Sequence, residues 1–183
     1  MSSLLARYSR LLKNKPILTN SVVAATLFAS GDVIAQWISP DEIAFDRVLR
    51  NALYGGIIFG PIAARMYPYL AKHVHFPRGV NVPASNFKDT TVRVVVDQLV
   101  WAPFGIALYM SCMGLMQSTP IDDIKKGLKQ GWWSTVTANW TVWPLVQMVN
   151  FAFVPVEHRV IVVSIVGVFW NAYLSMKSNK SGL

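Results

Sequence analysis

Apolar residues along this chain gather into five long runs, roughly Ile17 to Ile38, Val48 to Leu70, Val92 to Gln117, Trp132 to Val154 and Arg159 to Met176. The connections between them, "SPDE", "FPRGVNVPASN", "STPIDD" and "VPVEH", collect the prolines and the charges. About 20 apolar residues are needed to cross the hydrocarbon core of a bilayer as a helix. The period-two alternation of a membrane strand is absent, so helix is the expected state of each run, because a lone helix satisfies its own backbone in lipid. Ahead of the first run, residues 1–16 ("MSSLLARYSRLLKNKP") place Leu4, Leu5, Tyr8, Leu11 and Leu12 on one helical face, opposite Arg7, Arg10, Lys13 and Lys15. That pattern predicts an interfacial amphipathic helix, which also has the character of a mitochondrial address. Thr119-Pro120-Ile121-Asp122 predicts the capped start of a short basic helix carrying Lys125, Lys126 and Lys129, laid on the membrane surface. The expected fold is all-α: one domain, 1–183, forming a polytopic transmembrane bundle of four to five spans.

Composition agrees with this class. Apolar residues make up 53% of the chain and charged residues only 14%, against about 25% charged in soluble proteins. The net charge of +8 is spread singly or in small groups at the ends of the apolar runs, which suits a lipid surface and argues against nucleic acid as a partner. With five crossings, Lys and Arg number 8 on the N-terminal side and 7 on the other. If the last two runs form one span or a re-entrant pair the numbers become 10 and 5, so the positive-inside rule leans toward an even count. Cys112, the only cysteine, sits in apolar "YMSCMGLM" and reads as a small buried hydrophobe.

The candidate chemistry is confined to polar residues inside the runs. Asp32 and Asp97 are too short to reach the interface, so each must face a polar interior, whereas a long arginine near a span end can snorkel. Asp32 has Gln36 one turn on. Asp97 has Gln98 beside it and Arg93 one turn before, a spacing that predicts an ion pair within one helix. An acid with an amide neighbour can also hold a backbone break such as the one "WAPFG" predicts near Pro103. In "NWTVWPLVQMVNF", Asn139, Trp143, Gln147 and Asn150 form one stripe along one helix face, with Pro144 breaking the helix midway and freeing a carbonyl about one turn earlier. Two readings stay open: a water-facing stripe for polar solutes, or hydrogen bonds between helices. Gly56, Gly60 and Ala64 recur every four residues and predict close helix packing, within the bundle or between copies. The three histidines are scattered in connections, and neither an acid pair flanking a nucleophile nor a phosphate-cradling glycine loop is present. No enzyme activity, metal or cofactor is expected.

These residues resemble the family of integral membrane proteins grouped around the Mpv-seventeen protein and the twenty-two-kilodalton peroxisomal membrane protein. The resemblance rests on Gly31-Asp32 with Gln36, on Asp97-Gln98 with Ala102-Pro103, and on a long C-terminal signature. That signature is Trp132-Trp133, Asn139-Trp140, Trp143-Pro144, Gln147, Asn150-Phe151, Val154-Pro155, Arg159, Trp170-Asn171 and Tyr173-Leu174-Ser175. It is closer to the fungal mitochondrial members than to the peroxisomal branch, where a different residue is expected at Asn171. The resemblance implies a multi-pass protein of the mitochondrial inner membrane, with the peroxisomal membrane as the alternative, usually described with four spans. It further implies a channel-like role for small metabolites or ions, tied to mitochondrial homeostasis, mitochondrial DNA maintenance and metabolic stress tolerance. The combined expectation is a passive passage for small polar solutes, formed by a homo-oligomer in the lipid bilayer. Asp32, Gln36, Arg93, Asp97, Gln98, Asn139, Trp143, Gln147, Asn150 and Asn171 would line it, with Arg159 at its mouth. The alternative is a non-conducting scaffold or assembly factor in which the same polar residues only fix packing.

Overall fold

The computed structural model describes residues 3–38, 44–76 and 86–181, with residues 3–5, 86 and 171–181 described in backbone only. Among the described residues all regular structure is helical. The helices are α1 (Ser3–Asn14), α2 (Pro16–Ile38), α3 (Phe45–Leu53), α4 (Gly60–His73), α5 (Asn86–Val96), α6 (Ala102–Met116), α7 (Ile121–Trp140), α8 (Trp143–Phe153) and α9 (Arg159–Ser181). Two π-helical segments, Tyr54–Phe59 and Asp97–Trp101, join α3 to α4 and α5 to α6 without a break. Among the described residues two helices, Pro16–Ile38 and Phe87–Met116, are long and apolar enough to cross a membrane.

The π-segments have one construction and one cause. In each, the last wide-turn bond is donated by the residue just before a proline: Gly60 N–H to Gly55 O, and Ala102 N–H to Asp97 O. Pro61 and Pro103 then have no N–H to continue the ladder, and their rings would clash with a carbonyl one α-turn back. Widening the preceding turn by one residue absorbs that clash. The expected break at Pro103 is therefore a bulge in a continuous helix.

The chain forms two compact units. The first comprises Met1–Met66 with Glu157–Leu183, the second Tyr67–Val156. In the first unit, α2 packs along α9 and against the π-segment that follows α3. Its buried face runs through Asn20, Ala24, Gly31, Asp32, Ala35 and Gln36. Glycines let the π-segment approach this face. A Cβ at Gly55 would stand 2.8 Å from the Ala24 carbonyl oxygen, and one at Gly60 would stand 2.7 Å from Ser21 Cα. The small-residue pattern thus serves packing inside the unit. Its expected third member is displaced, since Ala63 is fully buried while Ala64 is only half-buried. The extra residue of the wide turn shifts the register, so an unbroken four-residue repeat does not mark the face.

The amphipathic helix α1 is present, but its apolar face is divided. Leu12 is buried and Tyr8 stacks on His158 at 5.7 Å, while Leu11 points outward with Arg10, Lys13 and Lys15. Leu4 and Leu5 lie outside the described side chains.

In the second unit, α5 packs against α8 and α6 against α7. Helix α6 ends in a Schellman turn, with Thr119 N–H bonded to Gly114 O and Ser118 in the left-handed region at φ 57°. Gly114 lets Ile124 of α7 come close, where a Cβ would meet its Cγ1 at 2.7 Å. The short surface helix expected at Lys125–Lys129 is instead the first half of α7, a continuous 20-residue helix. Gly131 is the only weak helix former between the lysines and the tryptophans, and a single glycine costs only about 1 kcal/mol in a helix.

Gly60→Val should lower the unfolding midpoint of the detergent-solubilised protein by several degrees, because the clash is with backbone and overpacking costs about 1–3 kcal/mol. Gly127→Ala is the control. No atom lies within 4 Å of a Cβ there, so the midpoint should hold or rise.

Candidate functional site

The polar residues of the spans fall into separate clusters, one in each unit. In the first unit Asp32 is 5% exposed and accepts from Arg47 Nε at 2.8 Å and from Gln36 Nε2 at 2.6 Å. Gln36 Oε1 accepts the N–H of Ala44 at 2.6 Å. This group ties the end of α2 to the start of α3. Sequence reasoning placed Asp32 and Gln36 with Asp97 and missed Arg47, which counted only as a flanking charge.

The second unit holds the denser cluster. Asp97 and Gln98 open the π-segment and are 1% and 6% exposed, and Gln147 and Asn150 of α8 are 3% and 0% exposed. Gln98 Nε2 and Gln147 Nε2 both donate to Asp97 Oδ2, at 2.7 and 3.0 Å. Behind each glutamine stands an asparagine. Asn139 Nδ2 donates to Gln98 Oε1 at 3.2 Å, and Asn150 Nδ2 donates to Gln147 Oε1 at 3.0 Å. A carboxylate oxygen only accepts, so both glutamines turn their NH2 groups toward it, and their oxygens then orient the asparagines. The result is two amide arms whose donors run inward and converge on one oxygen. Gln147 also donates to the hydroxyl of Tyr67 at 3.3 Å, a member of the cluster that its "YPYL" setting did not signal.

The expected stripe is therefore real in its contacts and wrong in its geometry. Thr141 and Val142 separate α7 from α8, so Asn139 lies on one helix and Gln147 and Asn150 on the next. The break precedes Pro144, which sits in the first turn of α8, where a missing N–H costs nothing. Trp143 opens α8 half-buried and adds no hydrogen bond to the arms.

Two tryptophans complete the frame. Gln98 O would next accept from residue 103 in the wide-turn pattern, and Pro103 has no N–H to give. Trp140 Nε1 takes that place at 2.9 Å. Trp132 Nε1 donates to Pro103 O at 2.9 Å. Its role here is to hold α7 against the bulge, while Trp133 remains 57% exposed.

Two expected members, Arg93 and Arg159, lie elsewhere. Arg93 does not pair with Asp97. Its guanidinium donates to Val74 O at 2.9 Å and Ala71 O at 3.0 Å, capping the end of α4, and contacts His75 Nδ1 at 3.2 Å. Free carbonyls at a helix end attract a cation more strongly than a spacing rule predicts. Arg159 is 4% exposed at the start of α9, not at an open mouth. The side chain of Asn171 lies outside the described residues. Asp46, which precedes the second apolar run, is held below the usual carboxylate range by its hydrogen bond to Arg50.

Residues 114–175 match the model of the Mpv17 / PMP22 family. The chain is 38% identical to Protein SYM1 of Saccharomyces cerevisiae over 182 residues, covering 97% of this chain and 91% of the yeast protein. It is 40% identical to Protein SYM1 of Debaryomyces hansenii over 187 residues, covering 98% and 90%. With Protein sym-1 of Neurospora crassa it shares 38% identity over 176 residues, covering 94% and 97%. No solved structure matches.

Trp140→Phe keeps a ring beside Trp133 but leaves the Gln98 carbonyl without its donor. We expect a loss of about 1–3 kcal/mol, read as a lower unfolding midpoint in detergent. Trp133→Phe should change stability by less than about 0.5 kcal/mol.

Proposed function

Because the chain belongs to the Mpv17 / PMP22 family, we propose that it is a multi-pass protein of the mitochondrial inner membrane that passes small polar metabolites or ions, with the Asp97 cluster as its polar centre. One observation carries this reading. Asp97 is 1% exposed within a membrane-length helix, and among the described residues no cation bonds to it. A charge at the centre of a span costs about 2.5–3.5 kcal/mol on insertion scales. The same chain gives the buried Asp32 an arginine, and the buried Asp89 the N–H of Phe76 with His75 at 3.6 Å. A purely structural acid would gain from the same provision, so the amide-only setting of Asp97 favours a role in handling solutes. In a passive passage, such groups replace part of a solute's hydration. The roles in mitochondrial homeostasis, mitochondrial DNA maintenance and metabolic stress tolerance belong to the same reading.

A second reading also has an observation behind it. Gln98 and Gln147 are buried and both bonded to Asp97, with the buried Asn150 bonded to Gln147, as expected of a scaffold whose amides only lock helices. Under the first reading this arrangement is the closed state, and passage requires the two arms to part.

The path of the chain favours five crossings. Tyr8 stacks on His158, so the start of α9 lies at the membrane face where α2 begins. An even number of crossings must then separate them, which α2, α3–α4, α5–α6 and α7–α8 supply. Helix α9 has 23 residues, about 34 Å of helix, enough to cross once more.

Two experiments test these readings. In planar bilayers the purified protein should conduct. Asp97→Asn should reduce its preference for cations severalfold, and Asn150→Leu should alter the unitary conductance. Absence of conductance, or variants identical to the wild type, would establish the scaffold. For the path, single cysteines are placed in a Cys112→Ser background. Ser9→Cys and Ser178→Cys should react with an impermeant thiol reagent from opposite faces of the membrane, and labelling from one face would rule out five crossings.

A further inference from the structure

Two acceptors of the Asp97 cluster are not matched. Both bonds to the carboxylate fall on Oδ2, while Asp97 Oδ1 is buried with no partner among the described residues. On the other side of Gln147, Asn150 is 0% exposed and uses its NH2 on Gln147 Oε1. This leaves Asn150 Oδ1 buried and equally without a donor. Reversing the amides does not help, because turning Gln147 would aim its oxygen at the carboxylate. Arg93, one turn before Asp97, is committed to the end of α4. An unpaired acceptor buried this way costs about 1–3 kcal/mol, and a buried carboxylate costs more.

The chemistry of a matching ligand follows from the donor set. The free atoms are a carboxylate oxygen and an amide oxygen, both hard, with no nitrogen or sulfur to select a transition metal. The formal charge is one negative, which a monovalent cation neutralises and a divalent one would exceed in apolar surroundings. A water molecule would offer hydrogens but no charge. Amide oxygens serve as substitutes for hydration around alkali ions elsewhere in membranes.

We propose that Asp97 Oδ1 and Asn150 Oδ1 form part of a binding site for a partly dehydrated alkali cation, sodium or potassium, inside the 67–156 unit. This rests on the reading of the Asp97 cluster as the polar centre of the protein. Its test needs no solute passage, so failure of conductance and failure of cation binding are separate results.

The full-length protein in detergent is unfolded thermally in sodium chloride, potassium chloride or choline chloride at equal ionic strength. A ligand that binds only the folded state raises stability as the logarithm of its concentration above the dissociation constant. One or both alkali salts should therefore raise the midpoint by several degrees in a concentration-dependent way that choline does not reproduce, and the comparison of the two identifies the ion. Asp97→Asn should abolish the difference between salts. Asn150→Ala should move the titration to about 10- to 100-fold higher concentration, the usual effect of weakening a metal site. If Asp97→Asn does not survive extraction, the wild-type salts and Asn150→Ala decide. Three salts giving the same midpoint at every concentration would overturn the proposal. So would an Asn150→Ala titration that follows the wild type. A stabilisation produced in choline by acid alone, to which alkali salts add nothing, would also overturn it and assign the site to a proton.

Discussion

Hydrocarbon offers no hydrogen bonds, so each peptide group left open inside a span must find a partner within the protein. Prolines set where that demand arises in this chain. Pro61 and Pro103 each end a ladder of wide-turn bonds, and each is preceded by a bulge that keeps the helix continuous. At Pro103 the unclaimed carbonyl of Gln98 is met from another helix, by the indole of Trp140. The proline therefore does more than bend its own helix. It creates a directional contact that fixes α7 beside α5 and α6, and the side chains of Asp97 and Gln98 are aimed by the same turn.

Two of the buried acids, Asp32 and Asp97, contrast in their choice of partner. Asp32 faces a guanidinium, and the pair is completed by Gln36 reaching the start of α3. Such an arrangement is neutral as a whole and can remain closed throughout the life of the protein. Asp97 is met by amides alone. Each amide is a dipole that lowers the energy of the charge without cancelling it, and the relay from Asn139 and Asn150 extends that support to a second layer. A site of this kind retains affinity for a positive ligand in a way that a completed ion pair does not.

Much of this was legible in the sequence because burial in lipid writes strong signals. The helices follow the apolar runs, and Asp97, Gln98, Asn139, Gln147 and Asn150 were all marked by the rarity of polar groups there. What failed was spacing logic. Arg93 and Asp97 are one turn apart, yet Arg93 caps α4. Asn139 and Asn150 share a helix face by spacing but sit on either side of a break. Ala64 continues a repeat that a bulge has already shifted. The last two errors assume an uninterrupted 3.6-residue helix through a segment that contains a proline, whereas Arg93 is drawn off by the carbonyls at the end of α4. Tyr67 and Arg47 were missed for another reason, since a partner supplied from a distant part of the chain leaves no local mark.

The closure of the cluster bears directly on how it would open under the proposed passage. Both arms reach Asp97 from helices that are discontinuous or widened: α8 begins after the break at Thr141 and Val142, and Asp97 stands at the first turn of a bulge. A regular helix resists changes in the direction of one side chain, because its neighbours above and below move with it. A wide turn and a helix start have fewer such constraints. Gln147 is the residue on which opening would turn, as its amide alone contacts Asp97, Asn150 and Tyr67. Displacing that one side chain would uncover Asp97 while Gln98 and Asn139 continue to support it. The cluster is thus arranged so that one arm can hold the charge while the other yields.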